Sequence, residues 1–182
     1  NTVTALSKTS FVSGDRRGDE TSGNPIWARV DNLVTACFEV VPVELEVIDD
    51  LGISADVSFD NNAANSLASQ STTPFGAFCS GVEIDITNVM TSGTTVEDIL
   101  YRVSYTPGGA GAITGLPTNN VDYDPGTTSS PWQNVILTNT SGNPATLTVT
   151  LTPFTDEDMS GNQSAGDCIG DEVITFSFTV EP

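Results

Sequence analysis

The chain has no histidine in 182 residues, and only five lysines and arginines stand against 24 aspartates and glutamates. Without histidine it cannot build a Ser-His-Asp or Cys-His catalytic site, and zinc centres lose their commonest ligand. A formal charge of -19 repels phosphate backbones and anionic headgroups, so nucleic acid and membrane partners are not expected. No apolar run approaches the roughly 20 residues of a spanning helix. The first residues lack the charged start and apolar centre of a signal peptide, and Asn1 reads as an internal or processed start. Aromatic residues make up 7% of the chain, about what a sandwich core consumes. Trp27, Trp132, Tyr101, Tyr105 and Tyr123 are therefore expected in packing rather than on a sugar-stacking platform.

What the chain does have is two-residue alternation. Ala145, Leu147, Val149 and Leu151 can face a core while Thr146, Thr148, Thr150 and Thr152 face water. Ile174, Phe176, Phe178 and Val180 repeat the pattern, in a segment expected to close the sheet. Similar alternation runs through Val41 to Val47, Ile53 to Phe59, Val82 to Ile86 and Ile99 to Tyr105. Glycine and proline mark Thr106 to Ala112 and Asp124 to Pro131 as turns. No window shows helical spacing. Short strands with one apolar face predict an all-β fold of two antiparallel sheets packed as an immunoglobulin-like sandwich, with a closed barrel as the alternative.

A boundary is expected near Asp49 to Gly52. Residues 1–50 hold too few strands for a sandwich of their own, and read as a partial module completed by upstream sequence or a partner chain. Residues 51–182 read as a complete module. The alternative is one enlarged domain.

The segments Cys79-Ser80-Gly81, Val82 to Ile86, Tyr101 to Pro107, Ala112 to Gly115 and Cys168-Ile169-Gly170 before Ile174-Thr175-Phe176 resemble PKD-like repeats of giant Bacteroidota surface proteins of the gliding-motility or adhesin type. Ile26 to Asn32 and Cys37 to Leu45 look like the closing strands of a neighbouring repeat type. The resemblance implies an extracellular stalk or adhesive repeat, exported by the type IX route and displayed in tandem on the cell surface. It carries over no catalytic residues, so the expected role is non-enzymatic.

Three cysteines suggest an oxidising compartment with one thiol left over. Cys79 and Cys168 bracket the second module, and their pairing would close a long loop worth about 4 to 5 kcal/mol in the chain-entropy model. The alternative is two buried free thiols. Cys37 would then await an upstream partner.

Asp156 to Asp167 matches a twelve-position calcium loop, with Asp156, Asp158, Ser160, Asn162, Ser164 and Asp167 as oxygen ligands and Gly161 at the sharp turn. Its last position is Asp instead of the longer Glu, and strands flank it where helices usually do. A solvated acidic hairpin loop is the competing reading. Arg17-Gly18-Asp19 spells an integrin tripeptide expected by chance, and Asn139-Thr140-Ser141 and Asn162-Gln163-Ser164 fit the glycosylation sequon.

Three functions are compatible with these features. The chain is a spacer or adhesive repeat whose partners are neighbouring repeats. Alternatively it is a subunit of a filament of identical copies, residues 1–13 donating a strand to the next. The third reading is a calcium-dependent module that binds surface glycans.

Overall fold

The computed structural model describes residues 51–93, 98–125 and 132–182, together with the backbone of three short strands upstream. The chain divides into two compact units, Asn1–Asp49 and Asp50–Pro182. In the first, β1 (Thr2–Val3), β2 (Trp27–Asp31) and β3 (Phe38–Pro42) form an antiparallel sheet in that order. Thr2 and Val3, expected at the start of a donor strand, pair instead with Asp31 and Val30 of their own chain. Arg17-Gly18-Asp19, Cys37 and the side chain of Trp27 lie outside the described residues, as does most of the expected turn from Asp124 to Pro131.

The second unit is all-β, with no helix among the described residues. One sheet has the order β5-β4-β7-β11-β9, from β4 (Gly52–Phe59), β5 (Asn65–Ala68), β7 (Val82–Ser92), β9 (Ile113–Thr114) and β11 (Val135–Asn139). The other has the order β10-β8-β12-β13-β6, from β6 (Thr72–Phe78), β8 (Ile99–Gly109), β10 (Val121–Tyr123), β12 (Ala145–Thr155) and β13 (Ile174–Val180). Their inner faces share one apolar cluster, as in a β-sandwich.

Alternation explains why these residues form these strands. Ile53, Ala55, Val57 and Phe59 are buried on β4, and Val82, Ile84 and Ile86 on β7. Ala145, Leu147, Val149 and Leu151 on β12 meet Ile174, Phe176, Phe178 and Val180 on β13, all eight nearly inaccessible to water. Burying such side chains stabilises by roughly 1.5–3 kcal/mol each before the entropy of ordering them is subtracted.

Three expectations are corrected. Strand β13 does not close its sheet: it lies between β12 and β6, and β6 is the edge. The β6–β13 pair is parallel, so the sheet is not wholly antiparallel. The Gly/Pro-rich stretch after Tyr105 is not a turn throughout, because β8 continues to Gly109 against the long β12.

Strand β6 is held by its phenylalanines. Phe75 and Phe78, three residues apart, would point to opposite faces of a regular strand. A register shift between the partners Ser177 and Thr179, around Gly76, turns both toward the core. There Phe78 stacks on Phe59 at 4.2 Å, and Phe75 meets it edge-on at 5.1 Å. Pro74 is tolerated because β6 is an edge strand.

The poles of the sandwich are set by strand direction. The chain enters it at Leu51, whose backbone and side chain pack on Gly170; a Cβ built there would come within 2.9 Å of Leu51. It leaves at Val180, beside Phe78, whose carbonyl accepts from the Glu181 amide at 2.8 Å. Because β13 runs from the first pole to the second, these points lie at opposite ends.

Candidate metal centre

The loop Asp156 to Asp167 joins β12 to β13 at the pole where the chain enters. Strand β12 ends when the Thr155 amide donates to the Cys168 carbonyl at 2.9 Å and the Asp156 amide donates to the Asp98 carbonyl at 3.0 Å. Tight backbone comes next: Met159 has φ of 54° and Gly161 of 71°, the left-handed region that glycine adopts without cost.

That turn points backbone N–H groups at the carboxylates. Asp156, only 6% exposed, accepts from the amides of Ser160 at 2.9 Å and Gly161 at 2.8 Å. Asp158 accepts from the Ser160 amide at 3.1 Å and the Ser164 hydroxyl at 3.1 Å. Asp167 accepts from the Glu157 amide at 3.0 Å and from the Ser164 amide. Hydrogen bonding from Ser160, reinforced by Ser164, holds Asp158 below the usual carboxylate range against a smaller opposing effect of desolvation.

Three of the six expected ligands are brought together. Carboxylate oxygens of Asp156, Asp158 and Asp167 lie within 4.8 Å of one another and can hold a metal ion. The other three turn their side chains to the loop itself: the Ser160 hydroxyl donates to the Asn162 carbonyl at 2.8 Å, Asn162 Nδ2 to the Ser160 carbonyl at 3.0 Å, and the Ser164 hydroxyl to Asp158. The donor set is hard oxygen from three carboxylates, which fits an alkaline-earth ion better than a soft metal.

The loop is anchored by a residue that sequence reasoning did not single out. Asp122 on β10, with a side chain 3% exposed, receives Arg102 of β8 in a bidentate pair at 2.6 and 2.7 Å. The same carboxylate accepts the Gln163 amide of the loop at 2.9 Å. Its hydrogen bonds to Arg102 raise the guanidinium pKa. The facing positions Arg102 and Asp122 were a cross-strand signal, but a three-residue strand is too short to read from periodicity.

Cys79 and Cys168 are not a disulfide. Both are free and exposed, which also overturns the reading of buried thiols. The first strand of the module, β4, lies in the other sheet from β13; the strand that precedes Cys79, β6, does neighbour β13, but the two run parallel. Cys79 therefore comes after β6 at the exit pole while Cys168 precedes β13 at the other. Six residues of strand separate the levels of Thr72 and Phe78, roughly 20 Å at 3.3 Å per residue, far beyond the reach of a disulfide.

The remaining candidates are structural. Trp132 and Tyr101 are 1% exposed, and Trp132 meets Tyr105 edge-on at 5.9 Å. Burial, with the nearby Tyr123 and Asp124, pushes Tyr101 up to about 12. Asn139 is buried, and its Nδ2 donates to the carbonyls of Asn143 at 2.7 Å and Val180 at 2.8 Å, so the amide a glycan would occupy is spent inside the fold. Asn162 of the second sequon is exposed. A groove of about 270 Å³ on the first sheet is lined by Ile53, Ser54, Ser69, Met90 and neighbours, with no titratable side chain.

Comparison of the chain with protein families, with curated proteins and with solved structures finds no match.

Proposed function

We propose that the chain is a non-enzymatic structural or adhesive module of an extracellular surface protein, in which the sandwich transmits tension from one of its poles to the other. The single observation that carries this reading is polarity: the chain enters at Leu51 on one pole and leaves at Val180 on the other. Modules with that geometry stack end to end. The exit strand is also held on both sides, by β12 and by parallel β6. Pulling the ends apart loads those hydrogen bonds in shear, together, instead of unzipping them singly. Asn139 adds a side-chain tie to the Val180 carbonyl at the exit itself.

On this reading the sandwich is immunoglobulin-like. In chain order β4, β7, β8, β11, β12 and β13 take the places of strands A, B, C, E, F and G of that fold, with A-B-E in one sheet and C-F-G in the other. Strand β6 carries the first strand's path across to lie beside the last. The PKD-like surface repeats that the sequence resembles belong to the same architecture.

Small-angle scattering tests the polarity. Two copies of the full chain joined in one polypeptide should have a maximum dimension at least about 30 Å greater than one copy, a strand length. A pair folded back to the dimension of a single copy would contradict it.

The second reading concerns the loop. We infer that the ion is Ca²⁺, held by Asp156, Asp158 and Asp167 beside the point where the chain enters the sandwich. Bound calcium would supply positive charge among carboxylates that otherwise repel one another. Millimolar Ca²⁺ should raise the melting temperature of the wild-type chain and leave an Asp156→Asn, Asp158→Asn variant unmoved. Equal shifts in both would dismiss the site.

A further inference from the structure

The acidic residues are not spread evenly over the two sheets. Strands β6, β12 and β13, neighbours in one sheet, contain no charged residue. On β8 the single charge, Arg102, is neutralised by Asp122. In a chain of net charge -19, an uncharged face three to four strands wide is a specific arrangement.

At its centre, across β8, β12 and β13, the outward side chains are hydroxyls in register. Ser104, Thr150 and Thr175 form one row across β8, β12 and β13, and Thr106, Thr148 and Ser177 the next. Rows repeat every two residues, so hydroxyls recur about 4.8 Å apart across the strands and about 6.8 Å apart along them. The hydroxyls of Thr150 and Thr175 stand 3.5 Å apart.

We propose that this face is a docking surface for a neutral polysaccharide. An anionic ligand would meet no unpaired cation here and would be repelled by the rest of the chain. A protein partner would meet none of the aromatic, methionine or unpaired arginine anchors on which protein interfaces centre. Of the exposed large apolar residues among those described, Met90 and Ile136 are on the other sheet and Met159 is in the loop after β12, while Ile169 bridges Phe154 beyond the end of the hydroxyl rows. Each hydroxyl both donates and accepts, so a polymer of hydroxyls can satisfy the rows in many registers, directly or through water. Binding by one module is weak and tolerant of register, and modules in series multiply it.

The proposal gives a ligand class to the adhesive part of the function above, and the scattering result does not depend on it. Native electrophoresis of the full chain through gels containing hydroxyethylcellulose, mannan or dextran, with alginate as the anionic control, tests it. Retardation is expected in at least one neutral gel and none in alginate. The double variant Thr148→Val, Thr150→Val keeps β-branched shape but loses two hydroxyls, and its dissociation constant should rise about fivefold, the equivalent of one net hydrogen bond. Serine at both positions should retain binding, as should Thr87→Val on the other sheet. Absence of retardation in all three neutral gels, equal retardation in alginate, or a valine variant that binds like wild type would overturn it. An end-to-end scattering profile alongside such a failure would sink only the ligand.

Discussion

The two outer faces of the sandwich start from the same inner pattern and end in different chemistry. On the first sheet the outward residues of β4 and β7 include Asp56, Asp85 and Glu83; on the second they are threonine and serine. The first face uses its carboxylates locally. Asp56 accepts from Ser66 Oγ at 2.6 Å and Asn88 Nδ2 at 2.8 Å, and Asp85 accepts from the Asn134 amide. On the second, hydroxyls meet mainly one another across the strands. Inward residues specify that two sheets pack; outward residues decide what each can touch.

If one core underlies both faces, damage to it must disturb them together. Phe176→Ala should lower stability by about 3–5 kcal/mol in urea denaturation, with a single transition reported by probes on either sheet. Two separated transitions would mean that the faces belong to independently folding layers.

The junctions come next in size. Arg102→Met leaves the Asp122 carboxylate, 3% exposed, without its ion-pair partner, and should cost about 2–3 kcal/mol. That lies below the roughly 3–5 kcal/mol of a fully buried broken pair, because the guanidinium side is itself 28% exposed. Asn139→Ala removes both hydrogen bonds that Nδ2 donates at the exit pole, along with those that Oδ1 accepts from the Ser141 amide and hydroxyl, and should cost about 2 kcal/mol by the same assay.

The smallest effect separates the faces by pH. Hydrogen bonds from Asn88 and then Ser66 lower the pKa of Asp56. A carboxylate depressed on folding contributes stability that is complete above its unfolded pKa and is lost as pH falls through its folded one. Asp56→Asn should therefore flatten the acid limb of the melting-temperature profile slightly, while Thr148→Val should leave its shape unchanged. Identical profiles for wild type and Asp56→Asn would remove the carboxylate from that account.

Much of this was legible in the sequence. Strands β4, β12 and β13 and the first half of β7 alternate, and each apolar residue read as inward there is buried, although β7 loses the period after Ile86, where Asn88 has φ of 49° and Val89 is the next to turn inward. Strand β6 was hidden because its inward phenylalanines are three residues apart, a spacing that only the bulge makes consistent with a strand. Strand β11 was hidden because Ile136, 56% exposed, is apolar on the outward side and blurs the period. Charge placement was visible residue by residue but acquired meaning only when register aligned β8, β12 and β13.

The candidate site was legible in half. Asp156, Asp158 and Asp167 converge, whereas Ser160, Asn162 and Ser164 satisfy their own loop, a competition that short polar side chains beside free backbone groups commonly win. The cysteines misled because the strand that leads to Cys79, β6, lies beside β13 but parallel to it, which puts the two thiols at opposite poles. Both thiols should alkylate in the native chain without reductant, and a peptide map should show neither linked to the other.

Single-molecule pulling on the full chain from its two ends tests the polarity most directly. If β13 is sheared between β6 and β12, the second unit should resist to a high force and open in one step that releases its whole length. Gradual lengthening at low force, with β13 peeling away residue by residue, would contradict the account.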